Sequence, residues 1–185
     1  KIPHGSGNVE GISNYLVSFA KEHNLSCIQD EMKNIIIKKP ASKGYEQEPA
    51  VILQGHMDMV AVKKPGASID MEKEGLTLGV EGDFLYAKDT SLGGDDGIAV
   101  AYALALLSSD DIPHPALEVI ITVDEEVGMD GAREIDLSGL KAKRMLNLDS
   151  EEEGIFLTSC AGGARINCFF PLTMEEKAGE LYRIS

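Results

Sequence analysis

Three short apolar runs each end in acidic or imidazole residues, and this pattern constrains the fold more than anything else in the sequence. Ala50-Val51-Ile52-Leu53-Gln54 runs into Gly55-His56-Met57-Asp58. Leu117-Glu118-Val119-Ile120-Ile121-Thr122-Val123 runs into Asp124-Glu125-Glu126. Arg144-Met145-Leu146-Asn147-Leu148 runs into Asp149-Ser150-Glu151. Short continuous apolar runs of this kind read as strands, the first two buried on both faces of a sheet. In an α/β sheet, ligands collect outside the carboxyl ends of the strands. His56, Asp58, Glu125, Glu126 and Asp149 are therefore expected at one rim.

Helical and turn patterns separate these strands. Gly5-Ser6-Gly7-Asn8-Val9 is turn chemistry leading into a helix from about Glu10 to Glu22, with Ile12, Tyr15, Leu16, Phe19 and Ala20 on one face and Asn24 as its stop. Asn34-Ile35-Ile36-Ile37 reads as a β-branched strand ended by Lys38-Lys39-Pro40, and residues 41–49 as a polar loop. Residues 63–82 form a long Lys-, Gly- and Glu-rich connection, followed by a short strand at Phe84-Leu85-Tyr86-Ala87. Gly93 and Gly94 precede a helix from about Asp96 to Leu107, apolar enough on all sides to predict deep packing. Strands alternating with helices predict a three-layer α/β domain. From about Ile155 the pattern turns β-like, and residues 158–185 read as the start of a second domain.

The formal net charge of −14 opposes what a phosphate-binding surface needs, which argues against nucleic acid and anionic membranes as partners. No apolar run approaches the roughly 18–20 residues that span a bilayer. Cys27, Cys160 and Cys168 are odd in number and lack metal-finger spacing, so they are expected as reduced thiols of a cytoplasmic protein. The first residue is Lys1 and the last, Ser185, follows an apolar stretch, a pattern expected of a chain cut at both ends.

Asp95 stands just before the second helix, behind the Gly pair, within reach of the same rim. One imidazole and five carboxylates are then predicted close together. Like charges at that range destabilise one another unless cations are present. Imidazole nitrogen and carboxylate oxygen suit Zn²⁺ first, with Mn²⁺ or Co²⁺ as alternatives. A bridging carboxylate can hold two such ions roughly 3.5–4 Å apart. Taken singly, each piece has a plainer explanation. His56-Met57-Asp58 alone is a structural turn, Asp95-Asp96-Gly97 a helix N-cap, and Glu125-Glu126 a solvated pair. Glu151, Glu152 and Glu153 keep the reading of a solvated loop. His4, His23 and His114 have no partners in sequence. Ser91 and Ser150 sit in no nucleophile elbow, against a serine hydrolase. The combination carries the signal.

At this point Gly55-His56-Met57-Asp58-Met59-Val60, Thr90-Ser91-Leu92-Gly93-Gly94-Asp95-Asp96-Gly97-Ile98, Asp124-Glu125-Glu126-Val127-Gly128-Met129-Asp130-Gly131-Ala132 and Leu146-Asn147-Leu148-Asp149-Ser150-Glu151 resemble the M20 metallopeptidases. They look most like the aminoacyl-histidine dipeptidase branch, as does the opening Ile2-Pro3-His4-Gly5-Ser6-Gly7-Asn8. The resemblance implies a partial three-layer αβα catalytic domain over residues 1–157 and the beginning of an α+β lid domain over 158–185. It implies two divalent metal ions. His56 and Asp149 would bind one, Glu126 the other, and Asp95 would bridge them with a cis peptide to Asp96. Glu125 would be general base and acid, and Asp58 would orient His56. Gly94 and Asp96 stand where Ala and often Asn are expected, both small changes.

The implied activity is hydrolysis of the peptide bond of dipeptides, Xaa-His in this branch, with homodimerisation through the lid in the full-length protein. The family completes its second metal site with a late His, and none follows His114 here. A fragment with weak second-metal binding and little activity alone is therefore expected. The alternatives are another M20 amidohydrolase (tripeptidase, carboxypeptidase or deacetylase) or a non-catalytic metal-binding module.

Overall fold

The computed structural model describes residues 1–150, 152, 154–160, 162–164, 166–173, 179 and 182. Lys1–Glu151 form one compact unit and Glu152–Ser185 a second. The elements of the first are α1 (Glu10–Glu22), β1 (Ser26–Gln29), β2 (Ile35–Lys39), β3 (Val51–His56), β4 (Leu78–Glu81), β5 (Phe84–Ala87), α2 (Gly94–Ser108), β6 (Leu117–Thr122), α3 (Glu125–Gly128), α4 (Asp130–Glu134) and β7 (Arg144–Asn147). The described residues of the second unit form no helix or strand, including those read as β-like from Ile155. Glu151 and Glu153 lie outside the described residues, and Glu152 is exposed. No described helix is long and apolar enough to cross a membrane. Cys27 is half-buried, while Cys160 and Cys168 are exposed free thiols.

Five strands form one mixed sheet in the order β1-β2-β6-β3-β7, and β4-β5 form a separate hairpin. The three strands that carry the site motifs, β6, β3 and β7, are parallel neighbours. Their register explains why the motifs meet. His56 lies opposite Thr122, two residues before Asp124. Gln54 lies opposite Asn147, two residues before Asp149. The ladder continues past the strand ends through Met57 N–H to Thr122 C=O at 2.9 Å and Leu148 N–H to Gln54 C=O at 2.9 Å. Three polar termini are thus delivered to one level of one rim.

One face of the sheet carries the main core. Leu16 and Ala20 of α1, Ala103 and Leu107 of α2, and Ile35, Ile37, Leu53, Val119 and Ile121 of the sheet pack there together. The other face buries Ile52, Ile120 and Ala142 beneath Ile135 and Leu140. α2 packs on this scaffold by one side only. Ala99, Ala103 and Leu107 are buried, but Ile98 and Tyr102 are 50% and 58% exposed, so the expected all-round burial is not reached. The end of α2 is capped from outside the helix. The Lys39 ammonium donates to the carbonyl of Leu106 at 2.9 Å and to that of Ser109, groups that a helix C-terminus leaves unpaired.

Glu118, read as one residue of a buried apolar run, has a specific task. Its carboxylate accepts the backbone N–H of Lys141 (3.0 and 3.1 Å) and of Ala142 (2.9 Å), and pairs with Lys38 Nζ at 3.2 Å. These bonds pin the segment that leads into β7 and so to Asp149. Burial pushes the carboxyl up, but the two amides and Lys38 outweigh it and hold it below the usual range. Its stabilisation is therefore present above the ordinary glutamate value and is lost as pH falls through the lower folded value. Glu118→Gln should cost about 1.5–3 kcal/mol at neutral pH, the range for hydrogen bonds to charged groups. The gap from the parent should close below the ordinary value of about 4.3. Urea titrations of both proteins across this range check it.

Candidate metal centre

His56 ends β3 with its ring 1% exposed. Nδ1 faces the Asp58 main-chain oxygen at 3.0 Å and Asp58 Oδ1 at 3.3 Å, so it carries the proton and Nε2 points to the rim. Nε2 meets Asp95 Oδ1 at 3.1 Å, Glu125 Oε2 at 3.9 Å and Asp149 Oδ2 at 4.0 Å. Glu126 joins His56 and Asp95 in one set of three donors, and Glu125 and Asp149 join His56 in another. Within each set the donor atoms lie within 4.8 Å of one another. All the predicted site residues therefore meet, and Asp58 lies directly behind them.

Each arm of the cluster has a local cause. Asp58 is fully buried and accepts Ser6 Oγ–H at 2.7 Å, Glu125 N–H at 3.1 Å and Glu126 N–H at 3.4 Å. It holds the first turn of α3 as well as the imidazole. The turn itself pivots on Asp124, whose φ of 54° is left-handed. Asn34, 1% exposed, supports that turn from below. Its amide oxygen accepts Val123 N–H at 3.1 Å, and its amide nitrogen donates to Gly131 C=O at 3.0 Å and Asp30 Oδ2 at 2.7 Å.

α2 enters the site through irregular backbone. Asp95 and Asp96 are non-helical, and the peptide between them is cis, as the resemblance implies. Gly93 has φ 71°, and a Cβ there would lie 2.8 Å from Met59 Sδ. A Cβ on Gly55 would meet Asp96 Oδ2 at 2.5 Å, so only glycine lets α2 start this close to β3. Asp96 is 1% exposed and accepts His56 N–H at 3.3 Å.

The charges of the cluster follow from burial and from one another. Burial disfavours charge on His56, yet the hydrogen bond and charge of Asp58, the Asp95 hydrogen bond and the Asp149 charge raise it to about 9. Burial also works against Asp58, but His56, Ser6 and the Glu125 amide hold it down at about 2. Asp96 is pushed up to about 6, by burial first and the Asp149 charge, against its hydrogen bonds. Glu125 and Glu126 are both raised, by burial first and with neighbouring carboxylates adding to it, against the lowering effect of His56. Several carboxylates around one imidazole, with their oxygens converging, fit a divalent cation bound through nitrogen and oxygen.

Comparison with known proteins places this arrangement. The chain is 41% identical to the cytosol non-specific dipeptidase of Escherichia coli (strain K12) over 162 residues, 88% of this chain and 33% of that protein. The chain belongs to the M20 peptidase family. The crystal structure of aminoacylhistidine dipeptidase from Vibrio alginolyticus is similar to 83% of this M20 chain, at a TM-score of 0.80 and 40% identity, over 31% of its own length. A tripeptidase from Staphylococcus aureus matches 82% of it at a TM-score of 0.66 and 26% identity, over 40% of its own length. No family model matches. The chain spans about a third of the length of the curated relatives it matches.

Sequence reasoning did not find the supports of this M20 site. Ser6, Asn34 and the left-handed Asp124 act across long separations. The one available signal was the Gly-Ser-Gly opening, which carried a resemblance but no role.

Proposed function

We propose that the protein to which this chain belongs hydrolyses dipeptides, Xaa-His among them, at a centre of two divalent metal ions. The observation that carries this is the convergence of His56, Asp95, Glu125, Glu126 and Asp149 at the rim of three parallel strands. The dipeptidase names of the relatives support the substrate class. His56 and Asp149 would hold one ion and Glu126 the other, with Asp95 shared between them; Zn²⁺ would suit the donors best, ahead of Mn²⁺ or Co²⁺. Bound there, the ions supply Lewis acidity to the scissile carbonyl and to water.

The chain's own groups do the rest. Asp58 fixes the His56 tautomer by holding the proton on Nδ1. Glu125 takes a proton from water and gives it to the leaving amine. A carboxyl raised above its ordinary range suits both transfers better than an unshifted one. On this reading residues 1–157 are the first part of the catalytic domain and 158–185 the beginning of the lid; the division of the chain into units after Glu151 supports a boundary in this region.

His56 is the only imidazole in the donor sets found among the described residues. The 185 residues alone should then hold the second ion weakly and turn over little substrate. The full-length protein with added Zn²⁺ or Mn²⁺ should cleave an Xaa-His dipeptide and lose that activity to a chelator. Chromatographic assay of dipeptide, tripeptide and N-acetyl amino acid substrates checks the reading. Preference for the tripeptide or the acetyl compound would overturn the substrate class, and strong turnover by the 185-residue chain would overturn its incompleteness.

A further inference from the structure

Gly5-Ser6-Gly7-Asn8 is the one motif of the chain that the proposed chemistry leaves unused. Gly5 is buried, Ser6 and Asn8 are half-buried, and Gly7 is exposed. The motif lies across the two loops that carry the centre. Its backbone is bonded to Met59 in both directions, through Ser6 N–H to Met59 C=O at 3.3 Å and Met59 N–H to His4 C=O at 3.1 Å. Ser6 Oγ donates to Asp58 Oδ2 at 2.7 Å, and Gly7 N–H donates to Asp124 Oδ1 at 2.7 Å. Asn8 Nδ2 ties the far end to the Glu72 carbonyl at 2.9 Å. The segment thus holds one carboxylate beside His56 and another at the pivot of the Glu125–Glu126 turn.

Ser6 is the shortest contact of a carboxylate with no exposure to solvent. A carboxylate offers about four lone-pair sites. At Asp58 they meet His56 Nδ1, Ser6 Oγ, Glu125 N–H and Glu126 N–H. Without the hydroxyl, Oδ2 keeps only the long 3.4 Å contact to Glu126, and bulk water cannot replace the loss. The carboxylate then turns toward its remaining donors, and any such turn changes its distance to both the imidazole and the Glu125 amide.

We propose that Ser6 and Gly7 are positioning residues: a clasp that fixes the Glu125–Glu126 turn relative to His56 by holding Asp58 and Asp124. This rests on the reading of His56 as ligand and Glu125 as base. The geometric part is testable without turnover, on the metal-free 185-residue chain. Ser6→Ala should lower hydrogen-exchange protection of the Glu125 and Glu126 amides by about tenfold or more, as expected for a lost hydrogen bond to a charged group. The amides of Val119 and Ile121 in β6 should keep theirs, and Ser6→Thr, which retains the hydroxyl, should restore protection at the turn.

In a parallel titration Ser6→Ala should weaken Co²⁺ binding by about 10-fold, the lower end of what loss of an outer-shell partner costs. Unchanged protection at Glu125 and Glu126 overturns the clasp. So does an equal fall in β6, which would mark general destabilisation, or failure of threonine to rescue. If the parent chain binds no Co²⁺, the metal reading falls, and the exchange result alone decides the clasp.

Discussion

Glu125→Gln in the full-length protein should slow peptide hydrolysis by about 10²–10⁴-fold, the range over which a positioned acid–base group acts, while bound metal stays at the parent level. The substitution preserves shape and an acceptor oxygen but cannot carry a proton. The test is sharp because the geometry alone admits another assignment. Glu125 Oε2 lies 3.9 Å from His56 Nε2, and with Asp149 it forms one of the two donor sets. Glu126 belongs to the other. Both carboxyls are raised by burial and by neighbouring negative charge.

If Glu125 is the base, its variant loses rate and keeps metal, and Glu126→Gln loses metal. If Glu125 is a ligand, the pattern reverses. Metal content by elemental analysis, set beside the rate constant of each variant, separates the two. A Glu125→Gln protein whose metal content falls in step with its rate would sink the assignment.

The rim was legible because strand ends are legible. β3 and β6 announce themselves as apolar runs, and a parallel register places their last residues side by side whatever the loops do. α1 was legible to its limits because its 3.6-residue period is clear between a turn and Asn24. β1 and β4 were not. β1 is an edge strand whose residues Ser26-Cys27-Ile28-Gln29 alternate between exposed and half-buried, and β4 pairs only within an exposed hairpin. Neither buries enough apolar surface to mark itself. The supports of the site were hidden for a different reason. Ser6 reaches Asp58 across 52 positions and Asn34 reaches Val123 across 89. Such contacts depend on tertiary placement, which no local pattern encodes. α2 marks the converse limit: its apolar residues predict burial on every side, but only one side meets the sheet.

Asp95→Ala should abolish tight metal binding to the 185-residue chain while leaving its folding stability nearly unchanged. The two halves of this result have separate causes. In the proposed role of shared ligand, Asp95 would contribute to both ions, whereas its donor set joins it only to His56 and Glu126. Its loss should weaken Co²⁺ by more than about 100-fold, beyond what removal of an outer-shell partner costs. As a structural residue it contributes little. Its side chain is 58% exposed, and its pair with His56 at 3.1 Å is offset by the negative charge of Glu126 beside it. The Asp95 end of the pair is screened by solvent even though the His56 ring is buried, so the metal-free variant should unfold within about 1 kcal/mol of the parent.

His56 would be a poorer choice. It is the residue common to both donor sets, but its ring is fully buried, and truncating it would leave a cavity and take away the charge partner of Asp58, mixing the two effects. Calorimetric titration with Co²⁺, with urea unfolding as control, gives the readout. Loss of one site with the other intact would make Asp95 a ligand to a single ion, and His56 the only residue common to the two.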